Sequence, residues 1–222
     1  MIAVTVTLTV DRSPADPAGA TNTGESASDN LPLDSSTTAS PATTSAAGHS
    51  TPTDERPRFT GPLTVSVLGD SLALSARSQL IEAMSRHTVT VDAAQGRTIS
   101  QATPSAAELV ELSEIPDVVV VALGTNNWAT GAEDAADDIE ALLSTLESVT
   151  CVVWIDAQEF RAGLKPVNEA IEAAMRGRDG GVGYWSNIAG PAVLHREDGY
   201  HLSEPGMVAF ASLIEASVEV FC

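Results

Sequence analysis

A single lysine, Lys165, occurs in 222 residues, and arginine raises the basic total only to 11 against 30 acidic residues. The formal net charge of -19 leaves no basic stripe to follow a phosphate backbone, which excludes nucleic acid as a partner. It equally excludes attachment to an anionic membrane surface. Cysteine is scarce too. Cys151 and Cys222 are too few for a disulfide framework and lack metal-ligand spacing. They read either as two buried free thiols or as one bridge pinning the C-terminal residue to the start of a core strand, which needs an oxidising compartment. A terminal cysteine after an apolar helix gains little by staying free, which favours the bridge. No grouping of side chains suggests a metal and no glycine-rich phosphate loop is present, so no cofactor is expected.

Long hydrophobic runs are missing as well. The apolar start, "MIAVTVTLTV", lasts ten residues before Asp11 and Arg12, too short to span a bilayer. As a signal peptide it lacks a basic leader, although Ala18-Gly19-Ala20 resembles a cleavage site. Its Val/Thr alternation also fits a strand. Residues 1–12 are therefore read as a signal, a remnant of a longer membrane segment, or a gene-model error. Ser, Thr, Pro, Ala and Gly supply 34 of the 48 positions from 13 to 60, so this stretch cannot bury enough surface to offset its ordering entropy. It reads as a disordered tether. An apolar start, a tether and a domain is the layout of an extracytoplasmic module, secreted or tethered to a membrane through a longer N-terminus.

The pattern changes from Leu63. Apolar, β-branched runs at 63–68 (LTVSVL), 88–92 (TVTVD), 117–123 (DVVVVAL) and 151–155 (CVVWI), with a weaker one near 182–185 (VGYW), read as buried strands. Helical stretches follow at 72–85, 104–113, 133–148, 164–177 and about 205–220. Alternation of this kind predicts a three-layer α/β/α domain over 62–222, with a mainly five-stranded parallel sheet covered on both faces. In such sheets ligands bind beyond the carboxyl ends of the strands, so the loops there carry the weight.

Those loops hold Gly69-Asp70-Ser71-Leu72, Ala94-Gln95-Gly96-Arg97 and Gly124-Thr125-Asn126-Asn127, and "EDGYHLSEPG" at 197–206 precedes the last helix. Taken singly each has an ordinary reading. Ser71 could simply cap a helix, Gly96 could serve a turn, and His201 could be a surface histidine. Together they supply what acyl transfer by serine requires. Ser71 offers a hydroxyl and a backbone N–H at a helix start, His201 a base, and Asp198 a carboxylate one tight turn before it. Gly96 offers a bare N–H and Asn126 a side-chain amide for an oxyanion.

These four blocks resemble the SGNH hydrolase superfamily, the GDSL-type esterases and lipases. "GDSL" at 69–72, Gly96, "GTNN" at 124–127 and "DGYH" at 198–201 match its blocks in order over nearly the whole domain. The resemblance implies a flavodoxin-like sheet with Ser71, His201 and Asp198 as catalytic triad. It also implies an oxyanion hole of the Ser71 N–H, Gly96 and Asn126. The family usually has aspartate where Asn127 stands. That variant, the surroundings of Gly96 and the tether together resemble SGNH domains attached to bacterial membrane acyltransferases, which act on cell-envelope glycans.

The implied activity is hydrolysis of a small acyl ester, O-acetyl first, on a carbohydrate or similar carrier. Acyl transfer to a glycan hydroxyl by the same residues is an alternative, and a non-catalytic glycan-binding module is a second. Trp128 and Tyr200 flank the blocks and could line an acyl or sugar pocket, or pack in the core. Asp70 is read as a cap or turn residue, Arg97 as a partner of acidic neighbours, Trp154 as core, and His195 as a surface or strand-end histidine. The oligomeric state is left open.

Overall fold

A computed structural model describes residues 59–111, 115–190 and 192–222. The expectations for residues 1–12 and for 13–58 of the tether lie outside the described residues. Five strands form one parallel sheet: β1 (Thr64–Gly69), β2 (Thr88–Ala93), β3 (Val118–Ala122), β4 (Cys151–Ile155) and β5 (Gly180–Gly183). Their spatial order is β2-β1-β3-β4-β5, so the chain leaves β1 on one side and returns on the other. Val65 pairs with Val89 across one edge of β1 and with Val118 across the other.

Among the described residues seven helices cover the sheet: α1 (Ser71–Ser75), α2 (Arg77–Ala83), α3 (Ile99–Val110), α4 (Ala132–Thr145), α5 (Leu164–Met175), α6 (Trp185–Ile188) and α7 (Glu204–Phe221). Right-handed crossovers running in opposite directions along the sheet, β1 to β2 and then β2 back past β1 to β3, must place their helices on opposite faces. Accordingly Val118, Val120 and Ala122 point towards Leu72, Leu80, Phe210 and Ile214 of α1, α2 and α7. Val119, Val121 and Leu123 point towards Ile99, Ile139 and Ile171 of α3, α4 and α5. Val118 to Val121 are all fully buried, each contributing about 1.5–3 kcal/mol by leaving water. The three-layer α/β/α architecture expected from the strand–helix alternation is the one observed.

Local departures have local causes. The helix expected at 72–85 is broken at Ala76 into α1 and α2. The helix expected from 104 starts at Ile99, because the Thr98 N–H donates to Gln101 Oε1 at 3.0 Å and caps an earlier turn. Pro104, which suggests a helix start, sits inside α3 and removes one backbone hydrogen bond. β2 was expected to be buried but is an edge strand whose residues alternate between exposed and half-buried, and β5 begins two residues early. Trp154 is core, its Nε1 donating to Leu123 O at 3.0 Å. His195 is not on the surface: it is buried against Trp185, and its Nε2 lies 2.6 Å from Ala189 O.

Among the described residues no helix is long and apolar enough to cross a membrane. The C-terminal residue is tied down twice: Cys222 O accepts from the Phe59 N–H at 3.0 Å, and Cys151 and Cys222 are joined with an S–S distance of 1.99 Å. The bond closes a sequence separation of 71 residues, for which chain entropy predicts about 4 kcal/mol of stabilisation. Cys222→Ser should therefore lower the denaturant midpoint markedly, and adding reductant to the wild type should reproduce the loss. An unchanged midpoint in both would contradict this.

Candidate functional site

The strand order reverses between β1 and β3, the point beyond whose carboxyl ends ligands bind in open sheets of this kind. Ser71 stands at this point. β1 ends at Gly69, and the next residue, Asp70, caps α1 by accepting the Leu72 N–H on Oδ1 at 2.9 Å. Ser71 is therefore the first helical residue and not the cap, and its N–H has no acceptor within the helix. The capping carboxylate is buried, and burial pushes Asp70 from 3.8 up to about 7, against the opposing hydrogen bond from Leu72.

Asn126 gathers the neighbouring loops. It sits in the short 3-10 turn Thr125–Asn127 after β3, and its Nδ2 donates to Arg97 O at 3.1 Å and to Asp70 Oδ2 at 3.3 Å. One amide thus links the loops that follow β1, β2 and β3. Asn127, where the family usually has aspartate, is fully buried, and its Oδ1 accepts the Ile99 N–H at 3.2 Å. Asn127 thereby fixes the start of α3 and takes no part in the site. Gly96 has a φ of 68°, a left-handed turn that favours glycine, and its N–H has no acceptor among the described residues. Arg97 pairs with Asp92 at 3.0 Å.

The loop before α7 brings the remaining two residues. Asp198 folds its turn by accepting the backbone N–H groups of Tyr200 (3.1 Å) and His201 (2.9 Å) on Oδ1. Its Oδ2 lies 2.8 Å from His201 Nδ1. This bond holds the Asp198 carboxyl down at about 2. A proton on Nδ1, needed for donation to Asp198, leaves Nε2 as an acceptor, and Gln95 Nε2 approaches it at 3.5 Å. Among the described residues no hydrogen bond joins Ser71 Oγ to His201 Nε2. Of the two pocket candidates, Trp128 is 43% exposed and so is not core, while Tyr200 lies against His201 with centroids 4.3 Å apart.

No protein-family model matches the sequence, and no curated protein matches it. Solved structures do. The C-terminal catalytic domain of peptidoglycan O-acetyltransferase A from Streptococcus pneumoniae is similar with a TM-score of 0.57 and 21% identity, covering 73% of this chain and 93% of that one. The psychrotrophic esterase EstA of Pseudoalteromonas sp. gives a TM-score of 0.59 at 16% identity, over 71% of this chain and 97% of the other. A GDSL-like lipase from Bacteroides thetaiotaomicron gives 0.57 at 18%, over 70% and 87%. The chain has the SGNH hydrolase fold.

On an SGNH fold the loops at the ends of β1, β2 and β3 and the segment before α7 are where the motif residues stand here. Asp70, read from the sequence as a cap or turn residue, caps α1 and also accepts from Asn126. Three residues lie outside the reading of the sequence: Gln95, which approaches the His201 ring, and Phe160 and Arg161, after β4, which reach Tyr200 and Trp128. Applying the strand-end rule to β4 as well as to β1–β3 points to the last pair.

Asp70 yields a prediction in pH. Its folded carboxyl holds a proton more tightly than the unfolded chain does, so its contribution favours folding below 3.8 and is lost as pH rises through about 7. Asp70→Asn removes that dependence. Between pH 4 and pH 8 its unfolding free energy should rise relative to the wild type, by ~1.4 kcal/mol per unit of pKa shift as an upper bound. A difference that stays constant across this range would contradict the account.

Proposed function

We propose that this protein is a serine esterase that removes a small acyl group, O-acetyl first, from a carbohydrate or similar carrier. The observation that carries the reading is the Asp198–His201 hydrogen bond, which leaves Nε2 to accept on the side where Gln95, the residue before Gly96, approaches it at 3.5 Å. His201 Nε2 takes the proton from Ser71 Oγ as the oxygen attacks the ester carbonyl. Apo sites often show the serine–histidine bond long or absent, and it tightens only when substrate is bound. Asp198, held down at about 2, stays ionised and stabilises the imidazolium.

The N–H groups of Ser71 and Gly96 receive the oxyanion, and Asn126 Nδ2 joins them by exchanging its longer bond, to Asp70, for the substrate oxygen. Collapse expels the alcohol, which takes the proton from His201. Water then attacks the acyl-Ser71 ester, with His201 again as base, and releases the acid. The SGNH fold supports the reading, as do the electrophilic groups described for two similar proteins, a methylsulfonyl adduct in the acetyltransferase domain and a monoethylphosphonate in EstA.

Acyl transfer to an envelope glycan is the second reading, favoured by likeness to a peptidoglycan O-acetyltransferase domain over 93% of that domain. It uses the same residues, with a sugar hydroxyl replacing water. An extracytoplasmic location fits either reading, because the Cys151–Cys222 bond persists only where conditions are oxidising.

Turnover of 4-nitrophenyl acetate tests the proposal. Ser71→Ala should abolish it, and Asn126→Ala should lower kcat on the order of 100–1,000-fold with the fold retained. Undiminished turnover by Ser71→Ala would overturn the assignment. Added acceptor glycans then separate transfer from hydrolysis, since only transfer yields an acylated glycan.

A further inference from the structure

Arg161, in the loop after β4, stands at the same edge of the sheet as Ser71. Its guanidinium carbon is 4.1 Å from the centroid of the Trp128 ring and 5.7 Å from that of Phe160. Phe160 stacks on Tyr200 with centroids 5.0 Å apart and planes 11° from parallel, and Tyr200 lies 4.3 Å from the His201 ring. A continuous wall of rings thus runs from His201 to a cation. Its near members, Phe160 and Tyr200, are half-buried, whereas Trp128 and Arg161 are exposed.

Two observations separate a ligand-binding cation from one that holds the fold together. Arg161 joins no ion pair among the described residues, in a chain with 30 acidic residues. Glu159, two residues away, accepts from Asn168 Nδ2 at 3.4 Å instead. The loop is also anchored without the guanidinium. Asn168 clamps Ala157 by both its N–H (3.0 Å) and its carbonyl (2.8 Å). At the other end Gly163 lies so close to Trp128 that a Cβ there would come within 2.0 Å of the Trp128 carbonyl oxygen. The backbones after β3 and β4 are therefore in contact whatever side chain stands at 161, and Arg161 is presented from a rigid support.

We propose that Trp128, Phe160, Tyr200 and Arg161 form a subsite for the alcohol portion of the ester, and that this portion is a sugar bearing a carboxylate. The proposal rests on the esterase reading above. In that reaction His201 hands its proton to the departing alcohol, so a surface continuous with His201 faces the alcohol and not the acyl group. Aromatic faces offer flat apolar area to the C–H face of a sugar ring and leave its hydroxyls to water. A guanidinium stacked on Trp128 keeps its N–H edge free, a planar fork that matches a carboxylate in two hydrogen bonds. In a chain of net charge -19 an anion is repelled over most of the surface, so a cation at the end of the ring wall that starts at His201 favours a carboxylate there.

The test uses the full chain and two donors, O-acetylated methyl glucuronide and O-acetylated methyl glucoside, which differ in the carboxylate. The wild type should favour the glucuronide in kcat/KM by about tenfold or more, in line with a charge-assisted bidentate pair. Arg161→Gln should bring the ratio close to one, and Arg161→Lys should keep part of it. A wild-type ratio near one, or a ratio that survives Arg161→Gln, overturns the subsite. Turnover of 4-nitrophenyl acetate reports on the esterase reading separately. If that reading fails, chemical-shift titration with unacetylated methyl glucuronide and methyl glucoside still decides. A glucuronide preference lost in Arg161→Gln upholds the subsite, and equal binding overturns it.

Discussion

The reversal of strand order between β1 and β3 is the constraint on which the site depends. Because the chain leaves β1 for β2 and returns to pair β3 on its other side, the loops after these strands diverge to opposite faces of the sheet. The space between them cannot be filled by a crossover helix. Ser71, the first residue of α1, and Asn126, in the turn after β3, stand on those two loops for this reason. The buried valines of β1 and β3 hold the two loop bases in fixed register, Gly69 opposite Ala122. The position of Ser71 thus follows from strand pairing and owes little to the loop's own sequence.

The second determinant is how the loops are joined. A single amide, Asn126, donates to a carbonyl of the β2 loop and a carboxylate of the β1 loop. That arrangement aligns the donors needed in the proposed reaction, but it also commits the amide before substrate arrives. Asp70, the acceptor on the longer bond, is buried and its carboxyl is pushed up to about 7, so its hold on the amide weakens as it takes up a proton. A buried, destabilised carboxylate beside Ser71 is the kind of compromise that functional sites retain at the expense of stability.

The fold was legible because each strand is a compact apolar run and each helix carries its own period; Val118–Val121 and Ile139, Leu142 and Leu143 announce their elements without tertiary context. What failed was finer. Ala76 shows no sequence sign of a helix break, and Pro104 looks like a helix start because proline favours first turns, yet Thr98 with Gln101 caps the helix earlier. β2 has the composition of a buried strand, and only the strand order exposes it at an edge. Motif order singles out Ser71, Gly96, Asn126, Asp198 and His201, the residues on which the proposed reaction rests. The Phe160–Arg161 pair belongs to no motif. It matters only because a loop 41 residues before His201 folds against Tyr200, a contact that spacing along the chain does not encode.

The central claim is that Ser71 is a nucleophile activated by His201, and covalent labelling addresses it most directly. Folded protein treated with a fluorophosphonate and digested should carry the phosphonyl group on the peptide containing Ser71. His201→Ala should label far more slowly, and denatured protein should not label at all. Failure of the folded wild type to label, or labelling confined to another residue, would contradict the account.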